Sequence, residues 1–312
     1  MGADQLDDLA AWQAGLVTRR QALAAGLSER QIEWRVRSGR WARVSPGVYL
    51  TQPGRRDRSS RFSAAVLACG SGAVLSHWSA AEALGLTRAA PREIHVSVPL
   101  ARRVVAPPGV IVHRTHGAVD ASELWQWPPR TSAERTVIDV AAMGTADDAV
   151  AVAALACQRG VTWFEALSRE LGSRTRHRWR GVLLDALQDI GAGAESTLEV
   201  RFVRDVVRPH GLPTPRAQRT TLAGRHDLGF DEQMVLVELD GLAFHHDRAS
   251  RANDTRRDRR TAGAGWLTVR AVWVDVALHT CRLAGDVGTV LVRRGWPGRP
   301  RPCRRTDCAL RP

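Results

Sequence analysis

The sequence predicts an α+β protein of several domains. Three observations carry that prediction. Two capped helices run into a tight hairpin within the first fifty residues, helical and strand patterns alternate through the middle, and an apolar strand near residue 240 ends in carboxylates. The 312 residues are enough for two or three domains. With 44% apolar and 25% charged residues, the chain has the composition of a folded soluble protein, not a disordered one.

At the N-terminus, Thr18 with Gln21 and Ser28 with Gln31 have capping-box spacing, each marking a helix start. The second helix, about Glu29–Ser38, sets Ile32, Trp34 and Val36 among Arg30, Arg35 and Arg37. Gly39 stops it. WARVSPGVYL follows, two β-prone runs around Ser45-Pro46-Gly47. Helix, turn, helix and hairpin make the layout of a winged helix-turn-helix, in which the second helix enters the major groove and the wing lies over the backbone. The same pattern also fits a helical hairpin whose arginines form a solvated face.

The segment QALAAGLSERQIEWRVRSGRWARVSPGVYL resembles the N-terminal domain of AbiEi-family antitoxins, which are winged-helix repressors. The resemblance covers about residues 1–53 and implies DNA contacts by Arg30, Arg35, Arg37, Arg40 and Arg43. It also raises a cognate toxin as a partner. A homodimer on paired half-sites is a further arrangement that winged-helix proteins use.

Gly54–Ser60 reads as an arginine-rich linker. Residues 61–190 read as a mixed α/β scaffold or interaction domain, with helices over 64–69, 79–84, 135–142, 146–159 and 178–190 and strands over 93–99 and 109–115. LSHWSAAEALGL (Leu75–Leu86) resembles a segment of the same AbiEi-like architecture. There, His77 and Trp78 either form a small site or His77 is simply buried and hydrogen-bonded.

The chemistry concentrates in residues 191–295. Ser196 and Glu199 mark a helix start, with Glu199 either a site carboxylate or a plain capping residue and Glu195 the other carboxylate of that helix. RHDLGF and MVLVELDGLAFHH form a hairpin, and residues two apart on a strand share a face, so Glu238 and Asp240 point together with Asp227 in reach. Crowded carboxylates call for compensation, either by Mg²⁺ (or Mn²⁺) on hard oxygen ligands or by an arginine such as Arg225 or Arg270.

Asp227-x10-Glu238-x-Asp240, with Asp254-x-x-Arg257-Asp258 and Gly265-Trp266 beyond it, resembles a family akin to the very-short-patch-repair endonucleases, whose core is the restriction-endonuclease-like PD-(D/E)XK α/β fold. The resemblance implies Asp227 and Glu238 as metal ligands and Glu199 as an orienting group. His245, or else His246, becomes the general base, and Arg257 the clamp on the phosphate. The family's lysine is replaced by Asp240.

All 45 basic residues are arginine, which excludes any chemistry that needs a lysine. The net charge is +13, of which residues 293–312 hold +6 (seven Arg, one Asp). The final segment, 296–312, is Pro/Arg-rich and reads as a disordered, phosphate-binding arm. Cys303 and Cys308 stand there with no second pair nearby, a spacing that argues against zinc. No secretory signal or membrane span is visible, so a cytoplasmic protein with free thiols is the default. Two functions follow as expectations: a DNA-targeted, metal-dependent endonuclease, or a non-enzymatic AbiEi-like repressor whose nuclease-like domain only binds nucleic acid or a partner. A toxin–antitoxin fusion is a third.

Overall fold

The computed structural model describes residues 3–311 except 55–56, 88–90, 117–125, 192–193, 222–223 and 241–247; of residues 3, 194–196, 240 and 248–255 it describes the backbone alone. The chain forms two compact units, 1–143 and 144–312.

The first unit opens with α1 (Ala3–Trp12), β1 (Leu16–Thr18), α2 (Arg19–Ala24), α3 (Glu29–Arg37), β2 (Ala42–Ser45) and β3 (Val48–Leu50). Both predicted capping boxes form. The Gln21 N–H donates to Thr18 Oγ1 at 3.2 Å while the Thr18 N–H donates to Gln21 Oε1 at 2.7 Å, and Ser28 and Gln31 repeat the exchange at 3.3 and 2.7 Å. Gly47, at φ +69°, turns the hairpin where a side chain would be strained. The sheet is antiparallel in the order β1-β3-β2, and Ile32, Trp41 and Tyr49 close a small core between it and the helices.

The rest of this unit is α4 (Arg58–Cys69), β4 (Val74–Leu75), α5 (His77–Ala83), β5 (Ile94–Pro99), β6 (Val110–Thr115) and α6 (Ala133–Met143). The segment read as a linker already contains the start of α4, because the Asp57 carboxylate accepts the Ser60 N–H at 2.7 Å and caps that helix. Ala64, Leu67 and Ala68 of α4 then pack on Leu16, Val48 and Leu50 of the first sheet. Shared apolar surface thus joins residues that pattern alone had assigned to separate domains 1–53 and 61–190.

The second unit comprises α7 (Ala146–Gln158), α8 (Phe164–Ser173), α9 (Arg180–Gly191) and α10 (Ala194–Arg201), which continues as a π-helical stretch (Phe202–Val207) into the short α11 (Arg208–His210). Then come β7 (Arg216–Thr221), β8 (Gly224–Phe230), β9 (Val235–Asp240), α12 (Arg248–Gly263), β10 (Leu267–Val272), α13 (Trp273–Ala277) and α14 (Thr280–Arg293). The sheet order is β10-β9-β8-β7; β7–β8–β9 are antiparallel, and α12 crosses over to bring β10 parallel to β9. The 191–295 region does not build its core alone. Val150 and Ala154 of α7 and Ala186 of α9 enter the same cluster as Phe202, Val235, Val237, Trp273 and Val287. α10 begins at Ala194, so Ser196 lies inside the helix and not at its cap.

The C-terminal segment is ordered, contrary to its composition. Trp296 and Leu310 pack on the main core of this unit, and Cys308 is buried. α14 provides the seat: a Cβ on Gly288 would come within 2.7 Å of Pro300, and one on Gly285 within 3.0 Å of Leu310. Pro and Arg content predicted disorder because it took no account of these few apolar anchors and the flat helix face that receives them.

Candidate functional site

The α3 surface is the first candidate. A 3.6-residue period puts Arg30, Trp34 and Arg37 on the side opposite Ile32, which faces the core, and all three are exposed. The other arginines are held by aromatic rings. The Arg40 guanidinium lies 4.6 Å over Trp34, Arg35 lies 5.3 Å over Trp41 and Arg43 lies 5.9 Å over Tyr49. Five arginines thus border one helix and its hairpin, three of them partly immobilised before any ligand arrives. Glu29, which would oppose them, is paired with Arg19.

The second candidate is the carboxylate cluster on β8 and β9. Glu238 is buried in the second half of β9 and accepts from both His226 and the Arg257 guanidinium. His226, itself buried, also bonds Thr221 Oγ1 through Nε2 at 2.9 Å. Asp227 turns one carboxylate oxygen onto the Leu239 N–H at 2.7 Å, closing the strand pair just where its regular register stops at Leu228↔Val237. Glu199 on α10 accepts from Gln218 of β7. Among the described residues the guanidinium that bonds Glu238 is that of Arg257 on α12; Arg225 is exposed on β8, and Arg270 pairs with Asp258 at 2.9 and 3.1 Å. Arg257 Nε is buried and finds no hydrogen-bond partner among the described residues. His245 and His246 lie outside the described residues, as do the side chains of Glu195, Asp240 and Asp254. The sequence reading missed His226. Its only signal was a titratable residue beside Asp227 on a strand otherwise turning apolar.

Among the described residues two groups have metal-ligand proximity, and Asp227 and Glu238 belong to neither. One is His77, His95 and His113. The His77 and His113 rings stack at 3.7 Å, and His95 Nδ1 meets His113 Nε2 at 2.9 Å, so those two nitrogens satisfy one another. His77 is half-buried, with Nδ1 3.0 Å from Ser76 Oγ, which matches the buried, hydrogen-bonded alternative more closely than an open site. Burial holds both His95 and His113 below the ordinary imidazole value, and for His95 the neighbouring His113 adds to the effect. Between the lowered folded values and about 6.5 the unfolded chain binds more protons, so the first unit loses stability as pH falls through 6.5. Denaturation midpoints read on this unit at pH 7.5 and 5.5 should drop for the wild type and drop less for His113→Gln. Each histidine contributes a slope of at most about 1.4 kcal/mol per pH unit. The other group is His210, Cys281, Cys303 and Cys308.

Residues 4–52 match the family model described as "Transcriptional regulator, AbiEi antitoxin". The N-terminal segment is therefore AbiEi-like, and the α3 surface lies inside it. A solved structure similar to this chain is that of the RV2827C protein from Mycobacterium tuberculosis, 22% identical, covering 58% of this chain and 75% of that one at a TM-score of 0.39. No curated protein matches significantly. Among the described residues no helix is long and apolar enough to cross a membrane.

Proposed function

We propose that this protein is a DNA-binding transcriptional regulator of the AbiEi-antitoxin type, with α3 as a recognition helix in the major groove and the β2–β3 hairpin as a wing over the backbone. The observation that carries this is the exposed Arg30–Trp34–Arg37 face, flanked by ring-anchored Arg35, Arg40 and Arg43, within the segment matched by the regulator family. Arginine forks suit both phosphate and guanine edges, and pre-anchoring lowers the ordering cost of binding. Fluorescence anisotropy of the full chain on duplex DNA tests it: binding must weaken with rising salt and fall when the α3 arginines are replaced. Salt-independent binding, or none, contradicts it.

A second reading, phosphodiester hydrolysis by the C-terminal core, has its own observation: the Arg257 guanidinium bonds Glu238 through Nη2, and its buried Nε has no partner among the described residues, as in a phosphate clamp awaiting its ligand. Asp227 and Glu238 would be the residues to hold Mg²⁺ or Mn²⁺, and the ion would supply the charge that polarises a phosphodiester. The fit is poor as the carboxylates stand, since the ion must compete with Arg257 and His226 for Glu238. Single-turnover assays with either metal on nicked, mismatched and single-stranded DNA decide it. Cleavage lost in Asp227→Ala supports hydrolysis; equal inertness of wild type and Asp227→Ala removes it. A cognate toxin as partner is tested by co-purification from the native host.

A further inference from the structure

We propose that His210, Cys281, Cys303 and Cys308 bind one zinc ion in a closed, four-ligand site that fastens the C-terminal segment to α11 and α14.

The four side chains come from three places in the chain. His210 ends α11, Cys281 stands in the first turn of α14, and Cys303 and Cys308 belong to the final segment. Their ligand atoms all lie within 4.8 Å of one another. Cys281 Sγ is 3.7 Å from Cys303 Sγ, and Cys308 Sγ is 3.9 Å from His210 Nε2. A tetrahedral zinc with Zn–S near 2.3 Å has S···S edges of about 3.8 Å. A disulfide would bring two sulfurs to about 2.05 Å, and all five cysteines are free thiols.

The surroundings are those of a metal site more than of an apolar thiol cluster. His210 is buried, and its Nδ1 is 2.8 Å from the Val206 carbonyl; donating there leaves the Nε2 lone pair facing the sulfurs, as ligating histidines are commonly oriented. The Cys303 N–H points at Cys308 Sγ at 3.4 Å. Cys281 and Cys308 are buried and Cys303 is half-buried; four protein ligands fill a tetrahedral zinc with no position left for water or substrate, which is the mark of a structural site. Three thiolates, one imidazole and Zn²⁺ sum to a single negative charge, and Arg208, Arg301, Arg304 and Arg305 line the cleft beside it. The π-helical stretch brings His210 to the spot, and the Arg301 N–H donates to the His210 carbonyl at 2.9 Å. Spacing of 303 and 308 alone argued against zinc; the second pair comes from residues 210 and 281 through the fold.

The test uses the full chain purified without chelator. Metal analysis should find about one zinc per chain, falling below about a tenth in Cys303→Ser/Cys308→Ser and in His210→Ala but staying at one in Cys69→Ser and Cys157→Ser. Because His210→Ala empties a buried position, cobalt is the second probe: the wild type stripped of zinc should take up one Co²⁺ with the intense visible absorption of a tetrahedral thiolate site. Chelation should also speed tryptic cleavage after Arg304 and Arg305 several-fold, Arg299 and Arg301 each being followed by a proline that blocks trypsin. Zinc retained in the double variant, pale octahedral cobalt spectra, or a Cys281–Cys303 disulfide in the native protein would each overturn the proposal.

Discussion

Asp189→Ala is expected to destabilise the second unit by about 3 kcal/mol. Asp189 of α9 is buried and serves two partners at once. It accepts the Trp273 indole N–H at 2.7 Å and pairs with Arg201 at 3.0 Å. Arg201 in turn holds Asp185 at 2.8 and 2.9 Å and lies 5.8 Å from the Trp273 ring. Removing the carboxylate leaves a fully buried indole donor without an acceptor and deprives Arg201 of one of its two counter-charges. Loss of one partner of a buried pair is costly because the survivor stays desolvated. Asp189→Asn keeps an oxygen for Trp273 and should cost less. In the full chain, amide hydrogen exchange over α10 and α13 should show protection lowered by about two orders of magnitude in the alanine variant and clearly less in the asparagine variant. Equal protection in all three proteins would mean that α9 does not share the core of the second unit.

The larger functional effect is expected at α3. Replacing Arg30, Arg37 and Arg40 together by alanine removes two arginines from the outward helix face and one from its C-terminal flank while leaving Ile32, Trp41 and Tyr49 in their core. Each phosphate contact contributes close to one unit to the salt slope of binding, so the triple variant should lose up to about three units of slope and about 10²–10³-fold in affinity at moderate salt. Arg299 and Arg311, on the final segment, carry the same charge at another place. Replacing them tests whether bulk charge, not placement, drives binding; a comparable loss there would favour bulk charge.

Much of the N-terminal layout was legible because its determinants are local. A serine or threonine three residues before a glutamine fixes a helix start, and Pro46-Gly47 fixes a turn, whatever lies elsewhere. The β8–β9 hairpin was legible for the same reason, and so was Glu238 as an unusual buried acid. Its neutralisation was not. Glu238 meets Arg257 only through the α12 crossover, and His226 was hidden by its neighbour Asp227. The domain boundaries depended on apolar faces of α4, α7 and α9 finding partners far along the chain, which periodicity reports as amphipathic without saying against what. β7 and α8 escaped notice: Arg216–Thr221 has a polar, exposed pattern, and the strand exists because β8 supplies its ladder. The Cys3His cluster joins residues 71 and 22 positions apart (210 to 281 and 281 to 303), separations that no spacing rule reads.

The central claim is that α3 reads DNA. Selection of duplexes from a random-sequence pool by the full-length protein, at a salt concentration that suppresses phosphate-only binding, tests it most directly. The wild type should enrich a defined sequence, and Arg30→Ala/Arg37→Ala should lose that enrichment while keeping the fold of the first unit. Enrichment of the same sequence by both proteins, or of none by the wild type, would contradict it.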